Sequence, residues 1–476
     1  MIIKLKKNSF IINQIENHTV RTSLILIILL WIPYIIISYP GLATGDTYDE
    51  ISQYFHLDSS WSIESINLLS EDVYINKHHS VLHTVVMGFV YNVGKSLSSF
   101  TFGAFLYTML QVILLIWIFI FMFKYMKKIK VSNSLVLFSI LFIGLNPIVI
   151  TYSICAIKDT PSAIFNLLYV IFLLQIVRNY NSIFKNKIRL IFLIITILIV
   201  LMLRNNGIHT FLLSFPWLFL IYRNKWKKIL AVMMIPLVIF IMYNKIILPS
   251  FNVSDGSIRE TLSVPIMQLA RVIKYKPEVF TDKDKKVIDK VLNFEQAGRY
   301  YKNDVADDVK NLYNKDTTEE ELKDFLGVWF KYFKKYPFMY IDSVVSSTYG
   351  YFYPEKNMNL LFLYDYRFKD NSFIDISSNS YFAGIRSIYN KLLNIYYKMP
   401  FFINKVAYYT WFLLLSVGYI IYKKKYKYII PLTPLLAILL SCIFSPVNGS
   451  FRYVLPIIFS VPIILSIDYI VYKKEE

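Results

Sequence analysis

Asp46 and Asp49 lie in the stretch Tyr39-Pro40-Gly41-Leu42-Ala43-Thr44-Gly45-Asp46-Thr47-Tyr48-Asp49-Glu50, directly after an apolar run long enough to cross a bilayer. Lys158-Asp159, Arg204 and Arg452 hold comparable places at the ends of later apolar runs. His78, His79 and His83 bring half of the chain's 6 histidines into one short segment. A carboxylate can accept the proton of an attacking hydroxyl, and ammonium or guanidinium groups can neutralise a phosphate as charge develops on it. Acids and bases gathered at span ends, with apolar spans beneath them, suit chemistry on a substrate whose reactive headgroup sits at the membrane surface. Each residue also has a plainer reading. Asp46 can be a solvated acid, Asp159 a helix start before Pro161, and Arg204 and Arg452 side chains that snorkel to bulk lipid phosphates. His78-His79 lacks further ligands at zinc-site spacing. Asp49, Glu50 and Asp58 are of a type that holds a divalent cation, but their spacing does not call for one.

The elements that must position these residues are membrane spans. Of the 476 residues 56% are hydrophobic, with a mean hydropathy of +0.46, and several apolar runs of about 18 or more residues mark a polytopic helical membrane protein. The +19 charge sits in clusters at 4–21, 124–130, 178–189, 223–228, 423–427 and the tail, and the rest of the chain is balanced. That is a topology signal, because short cytoplasmic loops collect Lys and Arg. A nucleic-acid surface would gather its charge on one face instead, so no nucleic-acid partner is expected. Cys155 and Cys442 imply no disulfide framework.

Placing all six clusters in the cytoplasm gives ten spans, near 22–39, 101–123, 132–152, 161–177, 189–203, 208–222, 229–248, 401–422, 428–446 and 452–472. Both termini are then inside, behind a short cytoplasmic segment, 1–21. The pair around Arg204-Asn205-Asn206-Gly207 reads as a tight hairpin opening outward. Residues 22–248 and 401–476 form the membrane domain. Residues 40–100 form a first external loop, and 249–400 a mainly helical external domain. Val81, Leu82, Val85, Val86, Phe89, Val90 and Val93 recur at helical spacing, which predicts an amphipathic helix at the outer interface over 81–97 rather than a span. In the external domain Thr317 and Thr318 precede Glu320 and Glu321 as a capping box, ahead of an apolar stripe from Leu322 to Phe333 read as ordinary core. The Tyr349–Tyr353 and Tyr381–Tyr397 stretches suit rings at headgroup level.

The segments Pro40-Gly41…Asp46-Thr47…Gln53, His79-Ser80-Val81-Leu82-His83-Thr84, Asn146-Pro147 leading to Lys158-Asp159, Arg204-Asn205-Asn206-Gly207, Glu260…Gln268-Leu269-Ala270-Arg271, Tyr349-Gly350-Tyr351-Phe352-Tyr353-Pro354 and Phe451-Arg452-Tyr453 form a pattern over nearly the whole chain. The pattern resembles the polyprenyl-phosphate-dependent GT-C class of integral-membrane glycosyltransferases, in a bacterial branch of its own. It departs from the better-known members at Ser80, where a Pro often follows the loop histidine, and in reading Gly-Asp-Thr at the first acidic motif. The resemblance implies a GT-C-like fold in the cell membrane with its active site on the extracellular side. It also implies transfer of a sugar, with inversion, from a polyprenyl-phosphate-linked donor to a cell-envelope acceptor. On that basis Asp46 is the general base, with Asp49 the alternative. Lys158, Arg204, Arg452 and Arg271 would meet the lipid phosphate. His79 and His83 would orient donor or acceptor, Asp159 would fix Lys158, and Gln53, Asn205 and Gln268 would touch substrate. A flippase or exporter of lipid-linked saccharides and a polysaccharide polymerase or ligase remain the alternatives. A transporter would show polar groups at mid-membrane, and the spans show few.

Overall fold

Each apolar run becomes helix in the computed structural model, which describes residues 10–56, 75–256, 258–354, 382–398, 404–444 and 447–473. Asp58 and Tyr381 lie outside the described residues. Among the described residues six helices are long and apolar enough to cross a membrane: Phe10–Ile37, Phe100–Lys128, Asp159–Arg178, Arg223–Ser250, Tyr426–Ile443 and Phe451–Lys473. The pair Asn133–Leu145 and Pro147–Ser153, bent by 58°, is long and apolar enough only when taken together, as a broken span or a re-entrant segment. The bend has a local cause. The Asn146 side chain accepts the Ile148 N–H at 3.0 Å and starts a new helix with Pro147 in its first turn.

In chain order the bundle and its first loop comprise α1 (Phe10–Ile37), α2 (Gly45–Phe55), α3 (Val81–Leu97), α4 (Phe100–Lys128), α5 (Asn133–Leu145), α6 (Pro147–Ser153), α7 (Asp159–Arg178), α8 (Lys187–Leu203), α9 (Gly207–Ile221) and α10 (Trp226–Met242). The region expected to be external carries α11 (Ser263–Tyr275), α12 (Asp282–Val291), α13 (Phe294–Tyr300), α14 (Glu319–Lys335), α15 (Pro337–Thr348) and α16 (Ala383–Lys398). The bundle closes with α17 (Val406–Tyr422), α18 (Thr433–Ile443) and α19 (Phe451–Lys473). Among the described residues β pairing is limited to isolated bridges.

Two expected boundaries move. α1 begins at Phe10 rather than near 22, with a non-helical break at His18, because Ile12 and Ile15 are buried and extend the apolar contact into the segment expected to be a short cytoplasmic N-terminus. α4 runs on to Lys128, past its expected end at 123. α7 and α19 are the core of the bundle, buried over most of their length, while α1 and α10 leave most of their surface outward.

α3, the helix expected at the interface, packs on α4. At its C-terminal end Gly94 abuts Gly103, and at its N-terminal end the His83 ring packs on Tyr107, so both ends lie against the first turns of α4. A Cβ on Gly103 would stand 2.6 Å from the Tyr91 carbonyl oxygen, so this approach requires glycine. Helices α11–α15 pack a separate core around Ile266, Leu269, Ile288, Phe325, Tyr332 and Tyr340, whereas α16, expected in the same unit, lies on α1, with Tyr389 against Tyr34 and Arg386 Nε donating to Ile37 O at 3.1 Å. The capping box forms as read, between Thr318 and Glu321. The stripe after it is only partly core: Phe325 is buried, whereas Leu326, Phe330 and Phe333 are exposed, because the buried face of α14 is Phe325, Val328 and Tyr332.

Candidate functional site

The chain between α1 and α2 sets the site. Gly41 has φ +138, and a Cβ there would meet Thr108 Oγ1 at 2.2 Å, so glycine allows the segment to lie against α4. Leu42 then pairs with the 154–156 segment: its N–H donates to Ile154 O at 2.9 Å, and Ala156 N–H donates back at 2.9 Å. Thr44 caps α2 in a reciprocal box with Thr47, whose hydroxyl donates to Ala156 O at 2.5 Å. These bonds hold the first turn of α2, with Asp46 in it, beside Lys158. Gly207 does the same for the α8–α9 hairpin, because a Cβ there would stand 2.1 Å from Val200 O. The tight hairpin expected at Arg204-Asn205-Asn206-Gly207 is therefore formed, and it presents Arg204 to the same end of the bundle.

The result is a run of alternating charges assembled from four elements. Asp46 Oδ2 accepts Arg452 Nη2 at 2.5 Å and Lys158 Nζ at 3.3 Å. Arg452, in the first turn of α19, also donates Nε to Asp159 Oδ2 at 3.1 Å, and Asp159 Oδ1 meets Arg204 Nη1 at 2.6 Å. The Asp159 side chain is fully buried, whereas that of Asp46 is 24% exposed. The tyrosine ring at 453 lies under both guanidiniums, 5.0 Å from Arg204 and 5.4 Å from Arg452. Asp159 was expected to fix Lys158. It holds the two arginines instead, because the start of α7 turns its carboxylate inward while the Lys158 side chain reaches back to α2.

Two histidine chains run beside this cluster. Lys158 donates to His79 Nδ1, which leaves Nε2–H to donate to Asp49 Oδ2 at 2.7 Å; the tautomer is assigned from these bonds. Gln53 Nε2 supports the same carboxylate oxygen at 3.3 Å. In the second chain Tyr107 O–H donates to His83 Nε2 at 2.6 Å, and His83 Nδ1–H donates to Glu50 Oε2 at 2.5 Å, beside a 3.0 Å bond from Thr84. Glu50 is fully buried, and its second oxygen has no hydrogen bond. Ser80 caps α3 through His83 N–H and ties it to α8 through Met202 O at 2.9 Å.

Burial pushes the carboxyls on α2 upward, and their cationic partners outweigh it. Arg452, then Lys158 and His79, hold Asp46 well below the usual carboxylate range. His79 lowers Asp49 and His83 lowers Glu50 in the same way.

A cavity of about 680 Å³ opens beside Arg204 and Tyr453 and runs between α7, α9, α18 and α19. Leu212, Leu213, Ile438 and Pro456 line its apolar length, and Asn166 and Glu260 add polar groups. Glu260 is held by Lys310 at 2.8 Å; burial raises its carboxyl, but Lys310 leaves it below the ordinary value.

Asp46, Asp49, Gln53, His79, His83, Lys158, Asp159, Arg204 and Arg452 are thus brought together. Asn205 is exposed on the hairpin next to Arg204. Gln268 and Arg271 are not part of the cluster. Gln268 accepts Trp329 Nε1–H at 3.0 Å and faces Tyr340 O, while Arg271 pairs with Asp342 and Tyr301, all among helices α11–α15 and their loops. The polar side of α11 is occupied by its own domain. Sequence reasoning missed Tyr107, hidden in an apolar run, and the pairing of Glu50 with His83. The available signal was spacing: Asp46 and Glu50, and His79 and His83, are both i,i+4 pairs on neighbouring elements. Among the described residues no group of three or more His, Cys, Asp or Glu side chains is arranged to hold a metal ion.

Neither a curated protein nor a solved structure matches the chain. A family model does match it over residues 3–476, and the chain belongs to that family, the family of unknown function DUF6020.

Proposed function

We propose that this protein is a membrane glycosyltransferase that moves a sugar from a polyprenyl-phosphate donor to an acceptor outside the cytoplasm, in the manner of the GT-C class. One observation carries the reading: the charge run Asp46–Arg452–Asp159–Arg204 ends at the mouth of the 680 Å³ cavity between α7, α9, α18 and α19. A lipid with a charged head needs both parts, an apolar cleft for its tail and cations where the cleft opens. In this reading α8, α9 and α17 join the seven longer crossings to make ten, and the basic clusters and both termini face the cytoplasm. The polar cluster then faces outward from the cell membrane.

Arg204, Arg452 and Lys158 receive the donor phosphate, and the acceptor hydroxyl approaches Asp46. The hydroxyl oxygen attacks the anomeric carbon as the bond from that carbon to the phosphate oxygen breaks. The electron pair leaves with polyprenyl phosphate, the proton passes to Asp46, and the configuration inverts. While Arg452 and Lys158 hold it, Asp46 is a weak base. A phosphate competes for those same two cations, so donor binding frees the carboxylate where a base is needed. Asp49, behind His79, keeps that ring oriented.

The test is incubation of the purified protein with radiolabelled polyprenyl-phosphate sugars and an envelope acceptor fraction. Formation of polyprenyl phosphate together with acceptor-linked label supports the reading. Movement of the intact lipid across vesicles without cleavage would instead identify a transporter.

A further inference from the structure

At the end of the bundle opposite the Asp46 cluster, α4, α7 and α8 line a second, half-open cavity of about 280 Å³, at which Lys124, Lys128 and Phe192 are exposed. Its three walls share one polarity. On α4 Phe121 is followed by Lys124 and Lys128, at the i+3 and i+7 positions of one helix face. On α7 Phe172 is followed one turn later by the buried Gln175. On α8, which runs the other way, Phe192 precedes Arg189 toward the same end. Each wall therefore passes from aromatic to cationic or hydrogen-bonding in the same direction, from the membrane interior toward the loops. No acid lines the cavity, and among the described residues Lys124, Lys128 and Arg189 make no ion pair. Among the described residues the Arg189 guanidinium makes one hydrogen bond, from Nη1 to Ser182 O at 3.1 Å, and the residue lines the cavity.

We infer that this cavity binds an anionic glycerophospholipid from the leaflet at that end, with the headgroup phosphate among Lys124, Lys128 and Arg189 and the start of an acyl chain against Phe121, Phe172 and Phe192. Lysines that merely snorkel need no cleft beside them and no matching gradient on two neighbouring helices. A free anion would gain nothing from the aromatic wall. The charge complement selects the occupant, because a zwitterionic lipid brings a cationic group of its own along with its phosphate to a site that already holds three cations. The site is independent of any chemistry at the other end of the bundle.

The test is native mass spectrometry of the full chain, purified in detergent and offered equal amounts of phosphatidylglycerol and phosphatidylcholine with identical acyl chains. The wild type is expected to retain phosphatidylglycerol selectively. Each cation near an anionic headgroup is worth about fivefold, so Lys124→Gln with Lys128→Gln should lower that selectivity about twenty-fivefold. This double variant keeps the Arg189–Ser182 bond intact. Adding Arg189→Gln should bring the loss to the order of a hundredfold, and the variant carrying Lys124→Arg, Lys128→Arg and Arg189→Lys should keep it. Glycerol phosphate, a headgroup without tails, should not displace the lipid. Unchanged selectivity in the triple Gln variant, equal retention of the two lipids by the wild type, or displacement by glycerol phosphate would each overturn the inference.

Discussion

Replacing Asp46 with asparagine separates two consequences that a merely structural carboxylate would not separate. The side chain keeps its shape and loses its charge, so Arg452 at 2.5 Å and Lys158 at 3.3 Å each lose an anionic partner. A hydrogen bond to a charged group contributes about 1.5–3 kcal/mol, and a neutral one roughly half as much. Since Asp46 is 24% exposed, the lower part of that range applies. The two cations then become freer for a phosphate by about 1–2 kcal/mol in total, which is a roughly five- to thirtyfold tighter donor Kd. Turnover should move the other way, falling about 10²–10⁴-fold when the proton acceptor is removed. The assays are equilibrium binding of polyprenyl phosphate, read by intrinsic tryptophan fluorescence, and steady-state transfer with labelled donor. Size-exclusion profile and thermal stability serve as folding controls. Full turnover in a well-folded Asp46→Asn protein would remove the residue from the proton step. Weaker donor binding would show that Asp46 organises the cations rather than competing with the phosphate for them.

Three further outcomes follow from the packing. Asp159→Asn removes the buried carboxylate that holds Arg204 at 2.6 Å and Arg452 at 3.1 Å. Breaking a buried pair of this kind costs about 3–5 kcal/mol, to be read as a shortened thermal-inactivation half-life in detergent; an unchanged half-life would contradict the buried pairing. Gly103→Ala places a Cβ 2.6 Å from Tyr91 O and should cost about 1–3 kcal/mol while shifting α3, and with it His83, off α4. Gly327→Ala, which meets open space on α14, is the matched control and should be neutral or slightly stabilising. In the external region Thr281, Lys331 and Tyr332 all donate to Asp284 Oδ2, and against the upward push of burial they lower its carboxyl to about 2. A depressed acid stabilises the fold fully above its ordinary value near 4, and the contribution is lost as the pH falls through about 2. Hydrogen exchange on the full chain should therefore show α12 and α14 loosening between pH 4 and 2, and Asp284→Asn should cost about 2 kcal/mol at neutral pH and flatten that dependence. An unchanged pH profile in the variant would count against it.

Hydropathy and charge placed the polar residues correctly at one end of the bundle, because a bilayer forces apolar runs into helices and leaves ionisable groups at their ends. What they could not supply is which ends meet. Asp46 is 112 residues from Lys158 and 406 from Arg452, and those pairings depend on helix packing that no local pattern encodes. Even so, two local signals point that way. Gly41 and Gly207 each sit where a Cβ would strike backbone or a neighbouring side chain and so mark close approaches, although Gly45, directly before Asp46, faces open space. The i,i+4 spacing of Asp46 with Glu50 repeats in His79 with His83, and the structure joins them as facing sets. The misplacement of Gln268 and Arg271 has the opposite origin. α11 is amphipathic, and its polar face reads the same whether it lines a substrate cleft or meets Trp329, Tyr340 and Asp342 of its own domain. Glu50 shows how far burial can hide chemistry. Next to Asp49 it reads as one more exposed acid of an external loop, yet it is fully enclosed and bonded to His83. A buried carboxylate–histidine–tyrosine chain fixes α2 against α3 and α4. The helix that carries Asp46 is therefore fixed from one side by this chain, while the cations that meet Asp46 come from other elements, Lys158 from the start of α7 and Arg452 from α19.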